Sequence, residues 1–293
     1  MKKLMILCAL LWTTFNLSAQ DTTSVKKVQY PKGFSEQLDV VYTKVNGWEG
    51  KLDLYLPPTG GTASSLVINI HGGGWNKGTK ESQGGFSPFF KEGYAVANIE
   101  YRLTAAATAP AAIEDTRCAL IYLINNAKTF NIDVSKIVIM GTSAGGHLAL
   151  MGGLMENDHL FDGNCKGTEN IKVAAIIDKY GITDVWDWGY GKLKTSKSAT
   201  SWLGAKATDK DFAKSVSPLY QVKKSSPPVF IVHGDADPIV PYEQSVALKA
   251  KLDEMGVKNE FITVKAGLHG KFPAEEHAMV NAKIMEFLKG LGL

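Results

Sequence analysis

Ser143 stands at the centre of Gly141-Thr142-Ser143-Ala144-Gly145. A serine hydroxyl is a weak nucleophile and needs both a base within reach and an uncrowded position. A sharp strand-to-helix turn supplies the second condition, and only small residues fit two places before and two places after the serine. The helix that leaves such a turn also aims its N-terminus at the site, which favours developing negative charge. The pentapeptide is common by itself, and its neighbours give it meaning. Ile137-Val138-Ile139-Met140 reads as the buried strand that must lead in, and His147-Leu148-Ala149-Leu150 as the helix that must lead out.

Acyl transfer through a serine builds an oxyanion, so backbone N–H donors must already point at it. His71-Gly72-Gly73-Gly74-Trp75 follows the apolar run Ser65–Ile70, and consecutive glycines let the backbone approach closely. Gly73 and Gly74 are the expected donors, with Ala144 as the third; the alternative is a flexible turn.

A base and an acid must follow. His233-Gly234-Asp235-Ala236-Asp237-Pro238 comes directly after the apolar run Val229–Val232 and offers two aspartates. Asp237 is further from the strand end and precedes a proline that would fix the loop. Asp235 could instead cap that loop through its own backbone. Gly267-Leu268-His269-Gly270 follows Glu260–Val264 and places a histidine on a flexible, reachable loop. Its rival His277 lies in a helical segment beside Glu275 and Glu276, where a solvated face is the better reading. His71 and His233 end strands and are expected to make structural hydrogen bonds; His147 lies just past the serine turn and His159 in a polar loop. No histidine cluster has metal-ligand spacing, and the chemistry requires no metal or organic cofactor.

The elements that would carry these residues alternate along the chain. Strands are predicted at Gln37–Tyr42, Lys51–Leu56, Ser65–Ile70, Tyr94–Glu100, Lys136–Met140, Val173–Asp178, Val229–Val232 and Glu260–Val264. Helices are predicted at Pro110–Ala127, His147–Leu154, Tyr242–Met255 and Ala274–Leu288. Continuous apolar strands between helices imply an α/β class with a central, mostly parallel sheet covered on both faces. The order Ser143, Asp237, His269, each just past a strand, is the order of the α/β-hydrolase fold. Ile182 to Val216 breaks the rhythm as a small aromatic-rich insert with no clear strand. Trp186 and Trp188 within it, and Trp75 beside the glycine loop, are candidate substrate-binding rings, since aromatic faces stack on sugars or aromatic acyl groups; the alternative is that the rings pack the insert onto the domain.

With these residues in view, the chain resembles the bacterial esterases related to hormone-sensitive lipase, in their acetyl- and feruloyl-esterase branch. The resemblance rests on His71–Trp75, Glu100-Tyr101-Arg102-Leu103, Pro110–Asp115, Gly141–His147, Tyr180-Gly181-Ile182-Thr183-Asp184, His233–Pro241 and Gly267–Phe272. It covers about residues 50 to 290. It implies Ser143 as nucleophile, Asp237 rather than Asp235 as acid, His269 as base, and Gly73, Gly74 and Ala144 as oxyanion donors. The insert is where the resemblance is weakest.

Residues 1–19 read as a secretory signal peptide: Lys2 and Lys3, the apolar run Leu4–Trp12, and Leu17-Ser18-Ala19. The run is shorter than the roughly 20 residues that span a bilayer, and Cys8 lies inside it rather than at its end. Residues 20–293 are then expected to form a single domain in the periplasm or outside the cell, with no stable membrane insertion. The formal charge of +3 includes Lys2 and Lys3, and no basic cluster of the nucleic-acid-binding kind appears. Cys118 reads as a buried small hydrophobe; an oxidising compartment would permit a bridge to Cys165, which spacing alone does not reveal. The expected function is hydrolysis of a carboxylic ester, with acetyl or hydroxycinnamoyl groups leaving an acylated carbohydrate or a small ester. A serine peptidase or amidase could use the same residues, and a non-catalytic binding protein could use the same scaffold.

Overall fold

The computed structural model describes residues 27–293 apart from 166, 168, 169 and 194; the expected signal peptide lies outside the described residues. Eight strands form one sheet: β1 Ser35–Val45, β2 Trp48–Leu56, β3 Ser64–Ile70, β4 Ala95–Ile99, β5 Ile132–Thr142, β6 Ala175–Lys179, β7 Val229–Gly234 and β8 Asn259–Val264. Their order is β1-β2-β4-β3-β5-β6-β7-β8. β1 and β2 are antiparallel to their neighbours, and every other pairing is parallel. Each strand expected from its apolar run is present. The fold is therefore an α/β-hydrolase fold.

Side chains alternate across the sheet with period two. Leu66, Ile68, Ile139, Ile176 and Ile231 face one layer. Val67, Val138, Ile177 and Val232 face the other, together with Val280, Ile284 and Phe287 of the helix Ala274–Lys289. All of the strand residues just named are essentially unexposed. Burying such a side chain contributes roughly 1.5–3 kcal/mol, and doing so on both faces explains why these strands read as unbroken apolar runs.

The parallel register sets the carboxyl ends in one row. Ile70 pairs with Gly141, Gly141 with Asp178, Lys179 with Val232, and Gly234 with Val264. The loops that leave β3, β5, β6, β7 and β8 consequently emerge side by side, which is where an open α/β sheet holds ligands.

The pairing of the two cysteines, which the sequence left open, is settled by the fold. Cys118 is buried and is bonded to Cys165, with 4.9 Å between Cα atoms and a sequence separation of 47. The sequence could not show that residues 155–165 turn back onto the helix Ala111–Asn125. Arg117, fully buried in that helix, holds the turn by donating to Asp162 and to the carbonyls of Gly152 and Glu156.

The insert contains no strand among its described residues, as its sequence suggested. It contains three short helices, Val185–Tyr190, Lys197–Leu203 and Lys210–Ser215. Asp184 and Asp209 cap the first and third by accepting from Asp187 N and Phe212 N at 3.0 and 2.9 Å. Helices of 6 or 7 residues are too short to show a 3.6-residue pattern, so they were not legible as helices.

Candidate active site

Ser143 has φ 56° and ψ −121°, outside the regions that L-residues favour. Such strain costs on the order of 1–3 kcal/mol and persists only where neighbours enforce it. Here β5 runs directly into the helix Ala144–Leu154 with this one residue between them, and Ser143 N donates to Lys179 O at 2.9 Å. The flanking glycines are steric necessities. A Cβ on Gly141 would lie 2.1 Å from Gly145 O, and a Cβ on Gly145 would lie 2.2 Å from Ile70 O. The glycine spacing read in the sequence thus corresponds to two backbone crossings around Ser143.

The loop after β3 folds over this turn. A Cβ on Gly72 would meet Thr142 O at 2.7 Å and Ser143 Cβ at 3.3 Å. Gly73 (φ 116°) and Gly74 (φ 59°) take left-handed conformations, while the Gly73 carbonyl accepts from Asn76 N and Lys77 N. Neither Gly73 N nor Gly74 N has an acceptor among the described residues. Both glycines line a cavity of about 690 Å³ together with Ser143 and His269. Donors left open at the rim of a cavity that also holds a serine suit a developing oxyanion. Ala144 begins the helix behind Ser143 and is fully buried.

Asp237 is the electrostatic anchor. Its side chain is wholly buried, and Oδ2 lies 2.6 Å from His269 Nδ1 and 3.1 Å from His233 Nε2. Oδ1 accepts from Ile239 N at 2.7 Å and Val240 N at 3.1 Å. Burial alone would raise its pKa, but hydrogen bonds from His233 and His269, then the His269 charge and the Ile239 N–H, hold the carboxyl well below the usual range. An ionised Asp237 bound to Nδ1 leaves Nε2 of His269 as the nitrogen free to take a proton.

His233 is the residue whose role the sequence underspecified. It makes structural hydrogen bonds as expected, yet their target is the acid itself. Nδ1 contacts Ser245 Oγ at 2.7 Å, and Nε2 serves Asp237 and Val240 O. With Ser245 donating to Nδ1, Nε2 carries the hydrogen that Asp237 accepts.

The rivals fall outside. Asp235 Oδ1 accepts from Ala266 N and Oδ2 pairs with Lys265, so it braces the loop. His277 lies exposed on the helix Ala274–Lys289, tilted against Phe272. His147 is fully buried with Nε2 bonded to Val216 O, and burial lowers its pKa to about 4. His71 is likewise buried, stacked on Tyr101 and lowered to about 4 by burial.

The three expected rings separate. Trp75 has no exposed surface; it stacks on Trp202 at 4.3 Å and meets Trp188 and His147 edge-on. Its indole is a packing element under the glycine loop, which corrects its expected role as a ring open to substrate. Trp188 is also nearly buried, with Nε1 donating to Ile239 O at 3.1 Å, but one side of it lines the cavity. Trp186 does not line the cavity; it packs against Tyr190 at 4.5 Å under Lys210. Tyr180, which the sequence showed only within a motif stretch, takes its place in the wall. It has φ 47°, lies 4.8 Å from the His269 ring, and would collide with any side chain at Gly270.

A strained serine, an acid–imidazole pair and open backbone donors thus lie close together on an α/β-hydrolase fold. Residues 52–252 match the BD-FAE family, and the chain belongs to that family. It is 28% identical over 216 residues to "Esterase LipQ" of Mycobacterium tuberculosis, covering 72% of this chain and 51% of that protein. "Esterase LipC" of the same organism is 26% identical over 195 residues, covering 64% and 48%. The chain thus spans about half the length of these curated relatives. Among solved structures, a truncated carbohydrate esterase from gut microbiota superposes with TM-score 0.76 at 30% identity, covering 88% of this chain and 96% of that one. No group of three or more potential metal ligands occurs among the described residues.

Proposed function

We propose that this protein is a serine carboxylic-ester hydrolase that removes acetyl or hydroxycinnamoyl groups from acylated carbohydrates or cleaves small esters. The observation that carries the reading is His269, bonded to the buried Asp237 and set in the wall of the cavity that holds the strained Ser143. His269 takes the proton of Ser143 as its oxygen adds to the ester carbonyl. The tetrahedral oxyanion is held by the N–H groups of Gly73, Gly74 and Ala144. Collapse expels the alcohol, which takes the proton back from His269 and leaves an acyl group on Ser143. Water then enters, gives its proton to His269 and releases the acid, restoring the serine. Asp237 remains ionised throughout and keeps the imidazole in the productive tautomer.

The names of the relatives support ester rather than amide substrates. The carbohydrate esterase among the structural neighbours supports a saccharide as the alcohol part. Export to the periplasm or beyond is part of the proposal. The composition of residues 1–19 supports it, and so does the Cys118–Cys165 bridge, since disulfides persist in oxidising compartments. The test is a substrate panel of p-nitrophenyl acetate, an acetylated xylo-oligosaccharide, methyl ferulate and an aminoacyl anilide. Turnover of the esters alone supports the reading, and turnover of the anilide alone overturns it.

A further inference from the structure

We propose that the substrate carries an anionic group beside its ester, and that Lys77 and Lys197 recognise it; this rests on the esterase reading above. Among the described residues, the cavity around Ser143 is lined by two lysines and by no carboxylate. Its other titratable wall groups are Tyr180, its pKa raised to about 12 mainly by burial, and His269. Asp237 stands behind His269 with its side chain wholly buried and its charge committed to two imidazoles. A second hollow of about 520 Å³ is lined by Asp235, Asp237 and Glu243. Charge is thus sorted by side, with cations toward the serine.

Both lysines are exposed. Ion pairs elsewhere engage Lys44, Lys80 and Lys206 with neighbouring carboxylates, whereas Lys77 and Lys197 have no partner among the described residues. Both backbones are fixed close to the reacting centre. The Lys77 carbonyl is so close to Gly73 that a Cβ there would lie 2.0 Å away, and Lys77 Cγ would be 3.2 Å from it. Lys197 immediately precedes Ser198, whose Oγ would lie 3.0 Å from a Cβ on Gly74. Lys197 also opens its helix with no acidic residue in the first turn, where the backbone dipole disfavours a cation. One lysine therefore flanks each of the two glycines assigned to the oxyanion. Two lysines beside one concave wall attract an anion more strongly than either would on an open surface. A carboxylate, as on a uronic acid or a dicarboxylic acyl group, fits this chemistry.

The experiment compares matched esters on the full chain. Charge on the acyl side is tested with p-nitrophenyl hemisuccinate against p-nitrophenyl butyrate. Charge on the alcohol side is tested with monoacetylated glucuronic acid against monoacetylated glucose. In one of these arms the anionic member should have the higher kcat/KM by about tenfold at low salt, falling toward parity near about 0.5 M salt. The double substitution Lys77→Gln, Lys197→Gln should abolish that ratio. Lys283→Gln with Lys289→Gln, which changes net charge equally on a distant helix, should preserve it. Parity in both arms with the neutral esters still cleaved overturns the proposal, as does a preference that survives the double substitution. Failure to cleave any ester overturns the underlying esterase reading instead.

Discussion

His233 Nε2 and His269 Nδ1 converge on the same oxygen of Asp237, at 3.1 and 2.6 Å. The acid is therefore held from two sides, and only the second histidine reaches the cavity. Replacing His269 with Ala is expected to reduce kcat by roughly 10⁴-fold, as loss of a triad base does. His233→Asn is expected to reduce it by about 10- to 100-fold, in the manner of a lost outer-shell orienting bond. Ester turnover by the two purified variants checks the ranking, and equal losses would make His233 a direct participant. Asp235→Asn, which loosens a brace of the loop carrying His269, and His277→Ala are each expected to cost kcat far less than His269→Ala, since neither side chain lines the cavity.

The glycine loop should act in the transition state. Gly74→Val places a branched side chain at φ 59° against Ser198 and displaces the N–H donors. Steady-state kinetics should show kcat falling by about 10²-fold or more with little change in KM, since oxyanion contacts mature only as charge develops. A KM effect with kcat retained would turn this loop into a ground-state binding turn.

Trp188 and Trp186 should now behave differently. Trp188→Ala opens the cavity wall and removes the bond to Ile239 O, so KM should rise for a feruloylated or acetylated oligosaccharide more than for p-nitrophenyl acetate. Trp186→Ala should change neither KM by more than about twofold, because the ring faces Tyr190 and Lys210 and lies outside the cavity. The reverse order would mean that the insert rearranges around substrate.

These contrasts mark what the sequence could and could not convey. Ser143, Asp237 and His269 were legible because each stands just beyond an apolar run, and the parallel register brings those ends together. The inner strands β3, β4 and β7 were legible for the same reason, being buried on both faces, whereas the edge strands β1 and β8 are largely exposed or half-buried and were read from their β-type runs. Trp75 was misjudged because adjacency to a glycine loop does not say which way a ring points; the left-handed turn at Trp75 (φ 60°) drives it inward onto Trp202. The place of Tyr180 in the cavity wall and the convergence of His233 with His269 on Asp237 were not visible, since both depend on contacts between loops that lie far apart in sequence. The disulfide needed the fold of residues 155–165, which no periodicity signals.

Removing the bridge offers a stability test. Cys118→Ser with Cys165→Ser frees a loop closed over 47 residues, and chain entropy alone sets the loss at about 4 kcal/mol or less. Urea unfolding of the double variant, and of the wild type in reductant, should show matching falls in the midpoint. An unchanged midpoint in both would mean that Arg117–Asp162 holds the turn by itself.

Asp178 supplies a pH dependence with a definite sign. It is fully buried, accepts only from Gly181 N at 3.0 Å, and leaves Oδ2 without a partner. Burial raises its pKa from 3.8 to about 7, against the smaller effect of that hydrogen bond. The native state therefore holds a proton that the unfolded chain releases. Its contribution to stability is complete below the unfolded pKa and is lost as pH rises toward about 7. Asp178→Asn abolishes this titration. Its unfolding free energy relative to wild type should improve from pH 4 to 7.5, by at most about 4 kcal/mol. A pH-independent difference between the two would show that Asp178 is not titrating in this range.

The most direct test of the account is covalent labelling of Ser143. A fluorophosphonate probe should modify the wild-type protein at Ser143 alone, with the adduct located by peptide mass spectrometry. Folded Ser143→Ala should take no label and should lose ester turnover by roughly 10⁴-fold or more. Labelling at another serine, or ester hydrolysis by folded Ser143→Ala at the wild-type rate, would contradict it.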